Sequence, residues 1–112
     1  MAKFEFRTIG NFDEIVRALD RAILDSALTM RLVEESLIVC RGARVSVRVY
    51  DQYFMRNSSR AALTLTVVEA DGEVAISAIG SGGGTGAIFN FSYGAESKMV
   101  GVVADAVRRM GL

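Results

Sequence analysis

The segment "RAALTLTVVEADGEVAISAIG", residues 60–80, points Leu63, Leu65 and Val67 one way and Thr64 and Thr66 the other. That period of two belongs to a half-buried strand. Asp71-Gly72 supplies a tight turn and "EVAISAIG" the second arm, so the segment reads as a β-hairpin. Immediately upstream, "ARVSVRVYDQYF" (43–54) alternates Val45, Val47 and Val49 against Arg44, Ser46, Arg48 and Tyr50, the clearest strand in the chain. "LTMRLVE" places Met30 and Leu32 on one face, and "SLIVCRG" is a short apolar run. Arg41-Gly42 and "RNSS" punctuate these segments, and sequential strands joined by short turns form an antiparallel meander.

Two helices and one more strand flank the meander. "AKFEFRT" alternates Phe4 and Phe6 against Lys3, Glu5 and Arg7, which predicts an opening strand. Asn11 followed by Glu14 resembles a capping box, and Phe12, Ile15, Val16, Leu19 and Ile23 recur at helical spacing over 12–26. The opposite side of that helix, with Asp13, Arg17, Asp20, Arg21 and Asp25, reads as a solvated surface. Near the end, Met99, Val103, Ala106, Val107 and Met110 form one helical stripe, with Glu96 expected near the positive end of the dipole and Arg108 and Arg109 near the negative end. "AIFNFSYG" before it reads as a short strand or extended packing segment. The expectation is a single α+β domain over 1–112: an antiparallel sheet of about five strands in the order β-α-β-β-β-β-α, two helices on one face.

Composition limits the chemistry. The 112 residues include no histidine, no proline and no tryptophan. Without histidine the commonest general base, the Ser-His and Cys-His nucleophile pairs and most zinc or iron sites are excluded. No catalytic residue, metal site or cofactor is therefore expected, and the chain reads more as a non-enzyme than as an enzyme, with chemistry by arginine and backbone amides left open. Lys plus Arg and Asp plus Glu both total 13, so no net field favours nucleic acid or an anionic membrane. The start "MAKFEFRTIG" lacks the apolar core of a signal peptide, and no apolar run reaches the roughly 20 residues of a membrane helix. A cytoplasmic location follows as the expectation. The one cysteine, Cys40, sits in an apolar run and reads as a buried filler.

Three features bear on function. From Gly80 to Gly86, five of seven residues are glycine. The segment lacks the Gly-Lys-Ser/Thr ending of a Walker loop, and its partial match to a dinucleotide fingerprint at Gly82, Gly84 and Ala87 does not open the helix of a βαβ unit. It reads as a joint, with a backbone amide nest for an anion as the alternative. The hairpin "RGARVSVRVYDQYFMRNSSR" (41–60) carries Arg41, Arg44, Arg48, Arg56 and Arg60 among Tyr50, Tyr53 and Phe54. Those arginines either form a solvated strand face paired with acids such as Glu69 and Glu73 or hold a phosphate, a carboxylate or a single-stranded nucleic acid, the last disfavoured by zero net charge. Finally, Thr64, Thr66, Ala75, Ser77 and Ile79 make the second sheet face less polar than water contact requires, which points to a homo-oligomer built through that face.

The segments Y-x-x-Y-F-x-R-N-S-x-R-A (50–61), A-I-G-x-G-G-G (78–84) and F-x-x-G-A-E (91–96) resemble the signature of a family of small bacterial proteins of unknown function. The resemblance implies a small cytoplasmic α+β domain and brings no activity with it. Its matching positions are Arg56, Asn57, Ser58, Arg60, Gly82, Gly83, Gly84 and Glu96. Two functions are carried forward. One is a self-associating interaction or accessory domain. The other is a binder of a small anionic ligand through Arg56, Asn57, Ser58, Arg60 and Gly82–Gly84.

Overall fold

A computed structural model describes residues 2–55, 58–82 and 91–112, the stretch 91–96 by its backbone. The chain runs through β1 (Ala2–Ile9), α1 (Phe12–Leu24), β2 (Met30–Cys40), β3 (Ala43–Phe54), β4 (Ser59–Ala70), β5 (Glu73–Gly82) and α2 (Phe91–Met110). All strands join one antiparallel sheet in the order β1-β5-β4-β3-β2. The chain thus has the expected α+β order, with β1 at one edge and β2 at the other. α1 carries the chain between those edges, and the meander then returns to close β5 against β1.

Local chemistry explains the boundaries. The Asn11 side chain accepts a hydrogen bond from the Glu14 N–H at 2.9 Å, capping α1 as its sequence predicts. The hairpins β2–β3 and β4–β5 each turn on two residues of positive φ, Arg41 (50°) with Gly42 (82°) and Asp71 (52°) with Gly72 (80°). Those dihedrals define the type I′ turn whose twist matches a hairpin.

Both helices lie on one face of the sheet. Phe12, Ile15, Leu19 and Ile23 of α1 and Met99, Val103, Ala106 and Val107 of α2 are buried against Leu63, Leu65 and Val67 of β4 and Val74, Ile76 and Ala78 of β5. Phe4 and Phe6 extend this core onto β1.

Three expectations need correction. β2 is one continuous strand rather than two runs, and a bulge between Leu32 and Glu34 shifts its register. The extra residue moves the side facing the helices from Met30 and Leu32 to Glu35, Leu37 and Val39. α2 begins at Phe91, so Phe91–Gly94 is helical rather than extended. The first turn of α2 accordingly carries no acidic residue, although Arg108 and Arg109 do occupy its last turn. Cys40 is exposed rather than buried, because it ends the edge strand β2, which no further strand shields.

Candidate functional site

The side of the sheet without helices is built from the alternate residues of each strand. Register aligns three rows across it: Lys3–Ile79–Thr64–Val49–Glu34, Glu5–Ser77–Thr66–Val47–Ser36 and Arg7–Ala75–Val68–Val45–Ile38. The interior of every row is apolar or carries only a hydroxyl. Thr64, Thr66, Ala75, Ser77 and Ile79 lie there as their alternation predicts, and the three β3 valines join them. Within these rows charge is confined to the rims, with Lys3, Glu5 and Arg7 on β1 and Glu34 on β2, and the same face carries Arg31, Asp51 and Arg60 beyond them. Glu5, Arg7, Thr66, Val68, Ala75 and Ser77 border a shallow depression of about 160 Å³. Sheets that meet water on one side carry polar residues there, so this surface departs from that pattern.

The valines reach this face because the other side of β3 is committed elsewhere. Arg44, Ser46, Arg48 and Tyr50 point toward α1, which corrects the expectation of a solvated arginine face. Arg44 binds Glu69 on β4 at 2.8 Å, as anticipated for adjacent strands, and also Asp13 on α1 at 3.3 Å, with its guanidinium 4.4 Å above the Phe12 ring. The Arg48 side chain, 16% exposed, contacts Asp20 at 3.3 Å and Glu35 at 3.0 Å. Its Nε donates to the Tyr50 hydroxyl at 3.1 Å, and that hydroxyl donates to Asp20 Oδ1 at 2.6 Å. Asp13 and Asp20, which read as solvated helix residues, are thus the counter-charges that let arginines lie under α1.

This network fixes protonation. Burial, then the hydrogen bond to Asp20, pushes the Tyr50 phenol well above its ordinary value. Burial tends to lower the Arg48 value, but Tyr50, Asp20 and Glu35 outweigh it and the net direction is upward. A neutral phenol locked between a carboxylate and a guanidinium holds structure rather than moving a proton.

Of the residues matched from sequence, Ser58, Arg60 and Gly82 are described with their side chains, and they lie at one end of the sheet. Ser58 sits in the β3–β4 turn at φ 52°. Arg60 is the second residue of β4, and Gly82 at the end of β5 pairs with Ala61 beside it, so Arg60 and Gly82 share that end. Arg60 contacts Asp51 at 3.2 Å and lies 5.3 Å above the Tyr53 ring. Arg31, which sequence reasoning missed, binds the same Asp51 at 2.9 Å. Only its cross-strand register, opposite Asp51, reveals it. Arg56, Asn57, Gly83 and Gly84 lie outside the described residues. Among the described residues, no group of three or more His, Cys, Asp or Glu side chains could hold a metal ion. None of the described helices is long and apolar enough to cross a membrane.

A family model matches residues 1–111, nearly the whole chain. The chain belongs to DUF6054, a family of unknown function. Among curated proteins, none matches the chain. The DUF6054 match supplies no activity.

Proposed function

We propose that this DUF6054 domain is a self-associating interaction module, pairing two copies through the uncovered sheet face. The observation that carries this is the apolar interior of that face, above all Val45, Val47, Val49 and Val68 beside Thr64 and Thr66. Its charges favour a second copy as the occupant. A two-fold axis parallel to the strands lays the β1 edge of one copy over the β2 edge of the other, so Lys3 meets Glu34 within one row. Among the described residues neither Lys3 nor Glu34 has an ion-pair partner of its own.

The size is sufficient. Five strands, about 4.8 Å apart and about six residues of 3.3 Å each, span roughly 480 Å² per copy. The pair therefore covers about 960 Å² in projection alone, close to the roughly 1,000 Å² that a specific interface requires. Side-chain relief adds to the area removed from water.

Sedimentation velocity at about 100 µM, near the 10⁻⁴ M range in which weak specific pairs populate, tests the proposal. A dimer is expected, with Thr66→Glu monomeric and unchanged in circular dichroism. Lys3→Glu and Glu34→Lys should each weaken the dimer, and together restore it. A wild-type chain that stays monomeric throughout would remove the proposal, and a dimer indifferent to Thr66→Glu would place its interface elsewhere.

A second reading rests on the end of the sheet where Arg31 and Arg60 share the single carboxylate of Asp51. That trio has one surplus positive charge, beside the strand end from which the glycine segment leaves. A small anion such as phosphate is the ligand this excess favours. Phosphate should raise the melting temperature of the wild type and not of Arg60→Ala; equal responses would exclude Arg60 from the site.

A further inference from the structure

On the helix-bearing side of the sheet, α1 stops short of β2 and leaves a groove of about 280 Å³. Phe12, Val16 and Arg17 of α1 form one wall, Ser46 and Arg48 of β3 the floor, and Glu35 and Leu37 of β2 the other wall. Ser46 is 5% exposed, and among the described residues its hydroxyl has no hydrogen-bond partner. A buried hydroxyl without a partner costs free energy that a ligand oxygen would recover. Arg48 offers five N–H donors, of which one on Nε meets Tyr50, one on Nη1 meets Glu35 and one on Nη2 faces Asp20 at 3.3 Å, which leaves two. Arg17 lines the same groove and, among the described residues, has no ion pair.

Glu35 is the unusual member. Its carboxylate holds Arg48 Nη1 at 3.0 Å although the side chain is 55% exposed. It follows directly on the bulge of an edge strand, so the carboxylate can leave for water without breaking the core. Further along the same side of β2, Leu37 and Val39 are 63% and 66% exposed. An apolar strip therefore runs on from a charged head site.

We propose that this groove binds an amphipathic monocarboxylate, whose head replaces the Glu35 carboxylate on Arg48 and accepts from the Ser46 hydroxyl, and whose chain lies along Leu37 and Val39. The exchange keeps the local charge balance. Asp13, Asp20 and Glu35 face Arg17 and Arg48 in the closed groove; on binding, the ligand carboxylate enters and the Glu35 carboxylate turns out to solvent. Glu35 thereby acts as a built-in competitor. The groove lies on the opposite side of the sheet from the self-association face, so each proposal stands or falls separately.

Octanoate, octylammonium and 1-octanol serve as probes, titrated into the full chain by amide NMR and calorimetry. Saturable octanoate binding is expected, shifting the amides of Ser46, Arg48 and Leu37, with octylammonium the weakest of the three. Glu35→Ala removes the competitor and should tighten octanoate about tenfold, the scale of a hydrogen bond to a charged group. Leu37→Asp, at an exposed position that leaves the fold intact, should weaken it by a similar factor. Absence of octanoate binding to both the wild type and Glu35→Ala would overturn the proposal, as would equal binding of octylammonium. An affinity indifferent to Glu35→Ala, or shifts confined to the Arg31 and Arg60 end, would overturn it as well.

Discussion

Replacing Tyr50 by phenylalanine removes one oxygen from the polar cluster that joins α1 to β3. The Tyr50 side chain is fully buried, and its hydroxyl donates to Asp20 at 2.6 Å and accepts from Arg48 at 3.1 Å. A hydrogen bond to a charged group contributes about 1.5–3 kcal/mol, and two such bonds are lost together. The loss is below their sum, because Asp20 and Arg48 retain each other at 3.3 Å and their side chains are 24% and 16% exposed, so water compensates in part. We therefore expect Tyr50→Phe to cost about 2–3 kcal/mol, lowering the melting temperature by roughly 10 °C for a domain of this size. Urea unfolding measures the cost, and a double-mutant cycle with Asp20→Asn apportions it. A coupling of at least about 1 kcal/mol is expected for groups in one network. A Tyr50→Phe protein within about 0.5 kcal/mol of the wild type, or strict additivity with Asp20→Asn, would refute the view that this cluster fastens α1 to β3.

Three further outcomes follow from local geometry. The folded-state value of Tyr50 lies above its unfolded value of 10.0, so its contribution is complete below pH 10 and is lost as pH rises toward the folded value. Urea unfolding between pH 9 and 11 should show a steeper decline for the wild type than for Tyr50→Phe. Arg41 holds φ 50° in a type I′ turn, a conformation that asparagine tolerates better, so Arg41→Asn should gain about 0.5 kcal/mol in thermal unfolding. Asn11→Ala deletes the α1 cap and should cost about 1 kcal/mol by the same assay.

The element order is legible in the sequence because turn chemistry and periodicity agree. Gly42 and Gly72 mark two-residue turns, Asn11 marks a helix start, and Leu63, Leu65 and Val67 select the buried side of β4. β3 shows where that logic stops. Its valines are the apolar half of the alternation, yet they face away from the helices, and the arginines face inward. Alternation identifies two faces and does not say which is covered. The answer lies in Asp13 and Asp20, contributed by a helix some thirty residues earlier in the chain, which no local pattern connects to β3. The bulge in β2 is hidden for a similar reason, since it is fixed by register against β3 rather than by a glycine of its own. The Arg60 end was visible as composition. Its partner Arg31 was not, because the two meet only through Asp51.

The position of β1 also sets an order of assembly. Each strand of the meander finds its partner across a short turn, so β2 to β5 can zip together one hairpin after another. β1 pairs with β5 alone, through contacts such as Lys3 with Ile79 that span most of the chain. It has no partner until β5 is in place, and closing that long loop is the slow kind of step in folding. The first strand made is therefore the last to be secured, and until it docks the edge of β5 is bare, an opening for the β1 of another copy to take its place.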